Sequence, residues 1–208
     1  MKKLDLEYWK QTVRKLTETF SKEEMRLCDY DGATGDGDHG TSMLHGYREA
    51  QKKLDEIQPS DVGALLKAVG KAFVSNVGGV TGIIFGTMFM NAGESVSGKR
   101  ELTLRDLHRM FSKGLESVKV RGKVQEGQKS MVDALSPAVR ALGNADKRGA
   151  NIDDGLRIAC EAAKEGMYAT RNMEAKVGRA RYHANKGIGY VDAGAASIVL
   201  IFEVLVGE

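Results

Sequence analysis

The feature that most constrains the fold is an apolar spacing of three to four residues that recurs along almost the whole chain. This spacing places apolar side chains on one face of an α-helix, and no stretch alternates apolar and polar residues over the length of a strand. Only two prolines interrupt the chain, whereas 25 glycines gather between the periodic segments. The sequence therefore predicts an all-α protein, an antiparallel bundle of about eight helices formed by a single domain over residues 1–208.

Local signals place several helix ends. Ser60, after a proline, is the predicted N-cap of the third helix, and a fourth helix is predicted from about residue 81 to residue 91. Thr103 precedes the fifth helix, with Asp106 three residues further on. The apolar run near the C-terminus could be a buried strand on its periodicity alone, but its length and its leading alanines favour an eighth helix.

Composition excludes several classes of partner. The formal net charge is +3 and the basic residues are scattered, which gives no case for nucleic acid binding. The charged N-terminus has no continuous apolar segment, and the C-terminal apolar run is shorter than the roughly 20 residues that cross a bilayer. Cys28 and Cys160 lie far apart and are interpreted as free thiols. We expect a cytoplasmic protein that binds neither nucleic acid nor membrane.

The connectors between the predicted helices fall into two groups. Those after helices 1, 3, 5 and 7 hold the concentrated glycines and most of the unusual polar residues, whereas those after helices 2, 4 and 6 are ordinary polar loops. In an up-down array of helices, alternate connectors lie at the same end. The alternation therefore predicts a functional site on one rim of the bundle.

The first of these connectors contains the segment DGATGDGDHG, residues 31–40, which we call the acidic loop. It fails the dinucleotide pattern, because no buried strand precedes it, and the EF-hand pattern, because the spacing of its acids is wrong. The segment GKVQEGQKS, residues 122–130, is one residue out of register for a P-loop and also lacks a preceding strand. The carboxylates of Asp31, Asp36 and Asp38 are the hard ligands that magnesium prefers, alongside phosphate oxygens. The alternative interpretation is that these aspartates form turns and an N-cap for helix 2, a role that Asp31 alone could fill.

Two predicted helix starts could bind phosphate through free backbone amides, namely residues 40–42 and residues 80–82. The glycines at positions 78, 82 and 86 could instead serve close helix packing, and both interpretations remain open. The last connector is rich in cations, which suits an anionic ligand better than a solvated loop. These cations are Lys176, Arg179, Arg181, His183 and Lys186. Together these features predict a magnesium–nucleotide site for phosphoryl transfer.

Four segments of the chain resemble a known family, the L component of dihydroxyacetone kinase. The segments are GDGDHGTSM, GGVTGIIFGTMF, RGKVQEGQKSMVDAL and GRARYHANKGIGYVDAGAAS, in the order and approximate spacing of the family. His39 distinguishes this family from the nucleotide domain of fatty-acid kinases, which usually has threonine there. The resemblance implies an eight-helix barrel with ADP or ATP bound at one end.

The resemblance also implies roles for individual residues. Asp31, Asp36 and Asp38 would hold two magnesium ions that bridge the nucleotide phosphates. The implied nucleotide contacts are His39, Gly40, Thr41, Ser42, Val80, Thr81, Gly122, Met131, Arg179, Asp192, Ala193 and Gly194. Met131 could equally be a core residue of helix 6.

The same resemblance implies an incomplete active site. None of the histidines His45, His108 and His183 is a strong general base or nucleophile, and in the family a separate K component holds the hydroxyketone. The phosphoryl donor would be a phosphotransferase-system M subunit acting on retained ADP, or exchangeable ATP. The alternatives are a nucleotide-sensing regulatory or adaptor subunit, and a paralogous kinase subunit for another small ketose or polyol.

This sequence departs from the usual family pattern in two connectors. Gln128 replaces an acidic residue and Ala193 replaces a proline, which changes the charge balance in one connector and loosens a turn in the other. The other departures are Arg181, His183, Asn185 and Lys186. The extra cations among them could alter the choice of donor or partner.

Overall fold

The computed structural model describes residues 2–207 and confirms the all-α class. The predicted domain limits, Met1 and Glu208, lie outside the described residues. The helices are α1 (Leu6–Gly32), α2 (His39–Glu56), α3 (Val62–Asn76), α4 (Gly79–Ser95), α5 (Leu104–Gly122), α6 (Val132–Lys147), α7 (Ile152–Ala169) and α8 (Ala193–Val206). Between residues 2 and 207, no helix is both long enough and apolar enough to span a membrane.

Every helix packs against the next one along the chain, and α1 packs against α8 to close a ring. The closure is reinforced at the end of α8. There the Lys2 ammonium donates to the carbonyls of Leu205 and Val206 at 2.8 and 3.0 Å, and the Tyr8 hydroxyl donates to Leu205 at 3.0 Å. These donors satisfy carbonyls that have no partner within the helix.

Two details differ from the sequence-based expectations. The N-cap of α3 is Asp61 rather than Ser60, because the extended Asp61 backbone lets its carboxylate accept from the Ala64 amide at 2.8 Å. Ser60 instead donates to that carboxylate at 2.6 Å. Helix α4 runs from residue 79 to residue 95, longer at both ends than predicted.

A two-stranded antiparallel sheet was also absent from the sequence-based prediction. It pairs Leu4–Asp5 (β1) with Glu101–Leu102 (β2). Each strand has only two residues, which is too short for an alternating pattern to be visible in the sequence. The sheet ties the segment before α1 to the segment before α5.

Glycines allow α3 and α4 to pack with their backbones in contact. A Cβ built on Gly70 would lie 2.6 Å from the carbonyl oxygen of Gly86, and one built on Gly63 would lie 2.5 Å from that of Gly93. Real Cβ atoms do not approach a backbone oxygen so closely, and neither backbone can yield without moving a whole helix. Of the glycines at positions 78, 82 and 86, Gly86 therefore serves helix packing.

The α3–α4 contact predicts a strong position dependence of glycine replacement. Gly70→Ala should lower the free energy of unfolding by about 1–3 kcal/mol, because the new methyl group overpacks a backbone contact. The matched control is Gly114→Ala in α5, where the Cβ would meet the flexible Met88 side chain at 3.1 Å. That change should be neutral or stabilising by up to about 1 kcal/mol through helix propensity. Urea unfolding measures both, and equal effects at the two positions would contradict the packing argument.

The start of α5 makes stability depend on pH. Thr103 and Asp106 form a reciprocal capping box, and the Lys99 ammonium lies 2.7 Å from the Asp106 carboxylate. Burial alone would raise the pKa of Asp106, but hydrogen bonds from Lys99 and Thr103 outweigh it and hold the pKa below its usual 3.8. The ionised form is therefore favoured in the folded state.

Asp106→Asn should cost about 1 kcal/mol of unfolding free energy near neutral pH, because it removes the charge that Lys99 and Thr103 bind. A depressed folded pKa stabilises above the unfolded pKa, so the difference from the natural protein should shrink as pH falls through the folded pKa. Urea unfolding at about pH 6 and about pH 3 measures this difference in unfolding free energy between the two proteins. Asp55→Asn, in an exposed ion pair, is the control and should change little. A difference that grows on acidification would contradict the assignment.

Candidate functional site

The connectors that follow α1, α5 and α7 meet at one end of the ring. Arg179, in the long connector between α7 and α8, forms an ion pair with Asp36 of the acidic loop at 2.7 Å. We call that long connector, residues 170–192, the strap. The Lys176 amide of the strap donates to the Gln128 carbonyl in the α5–α6 connector at 3.1 Å.

The start of α4 lies at the same end. The Phe85 ring in its second turn is 6.1 Å from the His39 ring, which opens α2. A Cβ on Gly122, at the end of α5, would lie 3.5 Å from Ile84 of α4. The four glycine-rich connectors predicted to converge therefore lie at one rim. Three of them are joined by contacts of their own residues, and the one before α4 is placed there by Ile84 and Phe85 of that helix.

The acidic loop brings its three aspartates together. One carboxylate oxygen from each of Asp31, Asp36 and Asp38 lies within 4.8 Å of the others. Asp31, in the last turn of α1, also accepts from the amides of Gly37 and Asp38 at 2.9 and 3.1 Å. Asp31 thus shapes the turn, but it does not cap α2: the N-cap is Asp38, whose side chain makes no capping bond.

Glycine is required where the acidic loop folds back on itself. A Cβ on Gly35 would lie 2.6 Å from the Asp31 carboxylate, and Gly37 has a φ of +75°. The loop can therefore crowd three carboxylates only because two side chains are missing between them. Three converging carboxylate oxygens fit a hard divalent cation such as magnesium, which takes oxygen ligands from protein, water and phosphate.

The ion pair between Arg179 and Asp36 offsets part of the acidic charge. Both side chains are substantially exposed, at 70% and 38%. An exposed pair of this kind contributes about 0–1 kcal/mol, so a cation and an anionic ligand could take its place at little cost. Arg179 therefore lies where its guanidinium can move from a carboxylate to a phosphate.

The side chains that open α2 are engaged within the protein. The His39 Nε2 atom lies 2.8 Å from the Ser197 hydroxyl of α8, and burial lowers the pKa of His39 to about 4 despite the opposing charge of Asp38. Thr41 donates to the Glu24 carboxylate at 2.9 Å. The ligand-binding capacity at this helix start therefore lies in backbone amides rather than in these side chains.

The start of α4 is open. A Cβ built on Gly78, the N-cap, or on Gly79 would meet nothing within 4 Å, and Val80 is 73% exposed. By contrast, a Cβ on Gly82 would lie 2.1 Å from the Val77 carbonyl oxygen. The glycines at positions 78, 82 and 86 therefore have different roles. Gly78, together with Gly79, leaves the helix start accessible, with Thr81 in its first turn, whereas Gly82 and Gly86 serve packing.

The remaining predicted residues surround the start of α8. The Asp192 carboxylate caps α8 by accepting from the Ala195 amide at 2.8 Å, and burial raises the pKa of Asp192 to about 6. Ala193 is buried in the first turn. A Cβ on Gly194 would lie 3.3 Å from the Cβ of Met131, which is itself buried as the N-cap of α6. Met131 is thus a core residue that lies at the rim.

An open cleft of about 420 Å³ lies between the acidic loop and the strap. It is lined by Gly32, Ala33, Thr34, Gly35, Arg179, Tyr182 and His183. Tyr182 was missed by sequence reasoning, whereas His183 was one of the cations predicted to suit an anionic ligand. The cleft places aromatic and cationic strap residues directly beside the carboxylate cluster.

Lys129 was also missed by sequence reasoning. It is 3% exposed and donates to two carbonyls of the strap. A lysine in a polar connector is usually solvated, so no signal in the sequence distinguishes it from its neighbours.

Comparison with known proteins agrees with this geometry. The DAK2 domain matches residues 33–207. The ADP-binding subunit DhaL of the PEP-dependent dihydroxyacetone kinase of Escherichia coli (strain K12) is 35% identical over 186 residues, which cover 89% of each chain. The ADP-binding subunit DhaL of the PTS-dependent dihydroxyacetone kinase of Lactococcus lactis subsp. lactis is 31% identical, covering 92% of this chain and 91% of that one.

A solved structure has the same fold. The dihydroxyacetone kinase from C. freundii in complex with AMP-PNP and Mg²⁺ superposes with a TM-score of 0.74 and 26% identity, covering 95% of this chain and 33% of that one. The family match, the identity to full-length subunits and the shared architecture confirm the resemblance seen in the sequence. The chain therefore belongs to the DAK2 domain family, together with the DhaL subunits of dihydroxyacetone kinases.

Proposed function

We propose that this chain is the nucleotide-binding, phosphoryl-transferring subunit of a dihydroxyacetone kinase. The observation that carries the proposal is the convergence of three carboxylate oxygens within 4.8 Å beside two helix starts and Arg179. The names of its relatives support it, since these are ADP-binding subunits and a kinase solved with AMP-PNP and Mg²⁺.

The carboxylates of Asp31, Asp36 and Asp38 would hold one or two magnesium ions, which neutralise phosphate charge and orient the transferred group when bound. The opening amides of α2, from His39 to Thr41, would bind phosphate oxygens, as would those of α4 at Val80 and Thr81. The Ser42 amide is bonded to the Asp38 carbonyl at 2.9 Å, so Ser42 would contact the phosphates through its hydroxyl. Crowded carboxylates repel a polyphosphate in the absence of cations, so nucleotide binding should require the metal.

Residues from the later connectors would complete the nucleotide site. Arg179 would exchange Asp36 for the transferring phosphoryl group and stabilise its charge. Gly122 and Met131 lie beside the starts of α4 and α8 respectively, where they would contact the nucleoside. Asp192, Ala193 and Gly194 would close the site at the first turn of α8.

The acceptor would come from a second, K-type subunit. The buried His39 is bonded to Ser197, and the Nδ1 atom of the exposed His183 is 2.7 Å from the Asn185 side chain. Neither histidine is placed as a free general base beside the carboxylate cluster. A subunit that positions nucleotide and cations needs little covalent chemistry of its own, which suits transfer to a short hydroxyketone held elsewhere.

The proposed setting is a single cytoplasmic domain that retains ADP. The names of the two DhaL relatives indicate a PEP- or PTS-dependent donor, so we favour rephosphorylation of bound ADP by a phosphotransferase-system M subunit over exchange with ATP. A paralogous acceptor, such as another small ketose or polyol, is not favoured by these relatives.

The first test is the nucleotide content of the purified and extensively desalted protein. Stoichiometric ADP should remain bound and should leave when a magnesium chelator is added, because the metal screens the carboxylates from the phosphates. Chromatography of the released nucleotide measures it. A protein that arrives empty and then binds ATP with magnesium would replace the M-subunit donor by ATP. Failure to bind either nucleotide would overturn the proposed site.

A second test uses a matched pair of charge changes. Asp36→Asn should lower the rate of phosphoryl transfer about 100-fold or more, because it removes a ligand of the charge-neutralising metal. Asp29→Asn removes the same charge from an exposed residue of α1 that lies two positions before Asp31, and should leave the rate nearly unchanged. The measurement is transfer to dihydroxyacetone by the chain reconstituted with a K-type subunit and a donor.

The same pair separates transfer from regulation. A nucleotide-sensing adaptor would bind its partner without transferring phosphate in the natural protein. Full transfer activity in Asp36→Asn would contradict the metal assignment, whereas equal losses in both variants would show a general effect of net charge.

A further inference from the structure

Lys129 is a buried cation that the proposed nucleotide site does not use. It lies in the connector between α5 and α6, where it is 3% exposed. Its backbone has a φ of +59°, in the left-handed region. A residue other than glycine adopts this conformation only where the surrounding structure holds it. The contacts around Lys129 must therefore account for this backbone conformation.

The ammonium group of Lys129 joins the two ends of the strap. It donates to the carbonyl of Thr170, at the start of the strap, at 2.6 Å and to that of Tyr190, two residues before its end, at 2.5 Å. Hydrogen bonds from a charged donor are roughly twice as strong as neutral ones. One side chain from another connector thus fixes both points at which the strap leaves the helical ring.

The aliphatic part of Lys129 supports the strap between those points. A Cβ on Gly187, which has a φ of +76°, would lie 2.7 Å from the lysine Cε atom. The strap backbone therefore passes directly over the side chain, and glycine is required at the crossing.

Neighbouring residues hold both Lys129 and the strap in place. Burial lowers the pKa of Lys129, while the charges of Asp192 and Asp133 raise it. Asp133 also accepts from the amides of Gly127 and Ser130, which fixes the connector that carries the lysine. The Thr170 hydroxyl accepts from the Asp192 amide at 3.0 Å, so the strap ends are also joined directly.

We propose that Lys129 is a positioning residue for phosphoryl transfer: it clamps both ends of the strap so that Arg179 is held against the acidic loop. Arg179 lies near the middle of the strap, and its exposed ion pair with Asp36 is too weak to hold the strap in place. The two hydrogen bonds of Lys129 hold the strap in place at its ends. The inference rests on the proposed function, because it assigns the strap to nucleotide retention and transfer.

The direct test compares two lysine replacements in the same connector. Lys129→Met removes the ammonium and leaves two carbonyls without their donor, whereas Lys123→Met alters an exposed lysine that also has a left-handed backbone, with a φ of +48°. Hydrogen exchange of the strap amides and the rate of release of ADP with magnesium should both rise about 10-fold or more in Lys129→Met, and stay unchanged in Lys123→Met.

Transfer kinetics distinguish positioning from a general structural role. The kcat of the folded Lys129→Met protein should fall about 10-fold or more, with the KM for the acceptor-loaded K-type subunit little changed, since the group held in place acts during transfer. A lysine with only a structural role would lower the unfolding midpoint without changing kcat.

A second pair tests the clamp without removing a charge. Gly187→Ala forces a methyl group against the lysine side chain, whereas Gly189→Ala has similar left-handed strain, with a φ of +95°, but meets nothing within 4 Å. Exchange in the strap should rise further in Gly187→Ala than in Gly189→Ala. The excess should disappear in the Lys129→Ala background, where the opposing side chain is absent. The comparison of the two glycine replacements in the natural background tests the clamp even if no Lys129 variant folds.

The two proposals can fail separately. Unchanged strap exchange in folded Lys129→Met, or equal effects of the two glycine replacements, would overturn the clamp while nucleotide binding by the natural protein stood. A natural protein that binds no nucleotide would overturn the proposed function, and the clamp's role in transfer with it.

Discussion

The closed ring of helices is the constraint on which the rest of the structure depends. Each helix packs on its successor and α1 packs on α8, so the direction of the chain alternates around the ring. Consecutive connectors are thereby sent to opposite ends, and residues more than a hundred positions apart, such as Asp36 and Arg179, come within 2.7 Å. The helical packing that buries the core is therefore sufficient to bring these connectors together at the rim.

The rim concentrates groups that would be unfavourable elsewhere. Three carboxylates lie within 4.8 Å of one another, and three helices, α2, α4 and α6, begin without a side-chain cap. The protein tolerates this because glycine leaves room for the turn of the acidic loop and Arg179 offsets part of the charge. Buried contacts such as that of His39 with Ser197 anchor the rim from below. The groups available for binding therefore lie at the surface of the rim, and the contacts that stabilise them are buried beneath it.

The apolar periodicity predicted the structural features that depend on many residues, but it missed those that depend on a single residue. The helices, their number and the convergence of alternate connectors follow from apolar spacing repeated over many turns. Ser60 and the adjacent Asp61 are equally good caps in sequence, and only the extended backbone of Asp61 decides between them. Lys129 could not be predicted, since its burial depends on a strap that crosses it at Gly187, far along the chain. His39 was predicted as a ligand contact, and its side-chain partner was not visible because Ser197 lies in another helix.

The hydrogen bonds of Lys2 and Tyr8 to the last carbonyls of α8 place both ends of the described chain together. Helix α8 has 14 residues and is about 20 Å long, so this junction lies a full helix away from the rim where α8 begins. A polypeptide joined to either end would leave from the face opposite the rim that carries the proposed nucleotide site. The architecture is therefore compatible with use as a separate subunit or as a fused domain. Fusion would occupy the face that holds the chain ends, whereas a partner would bind at the rim on the opposite face.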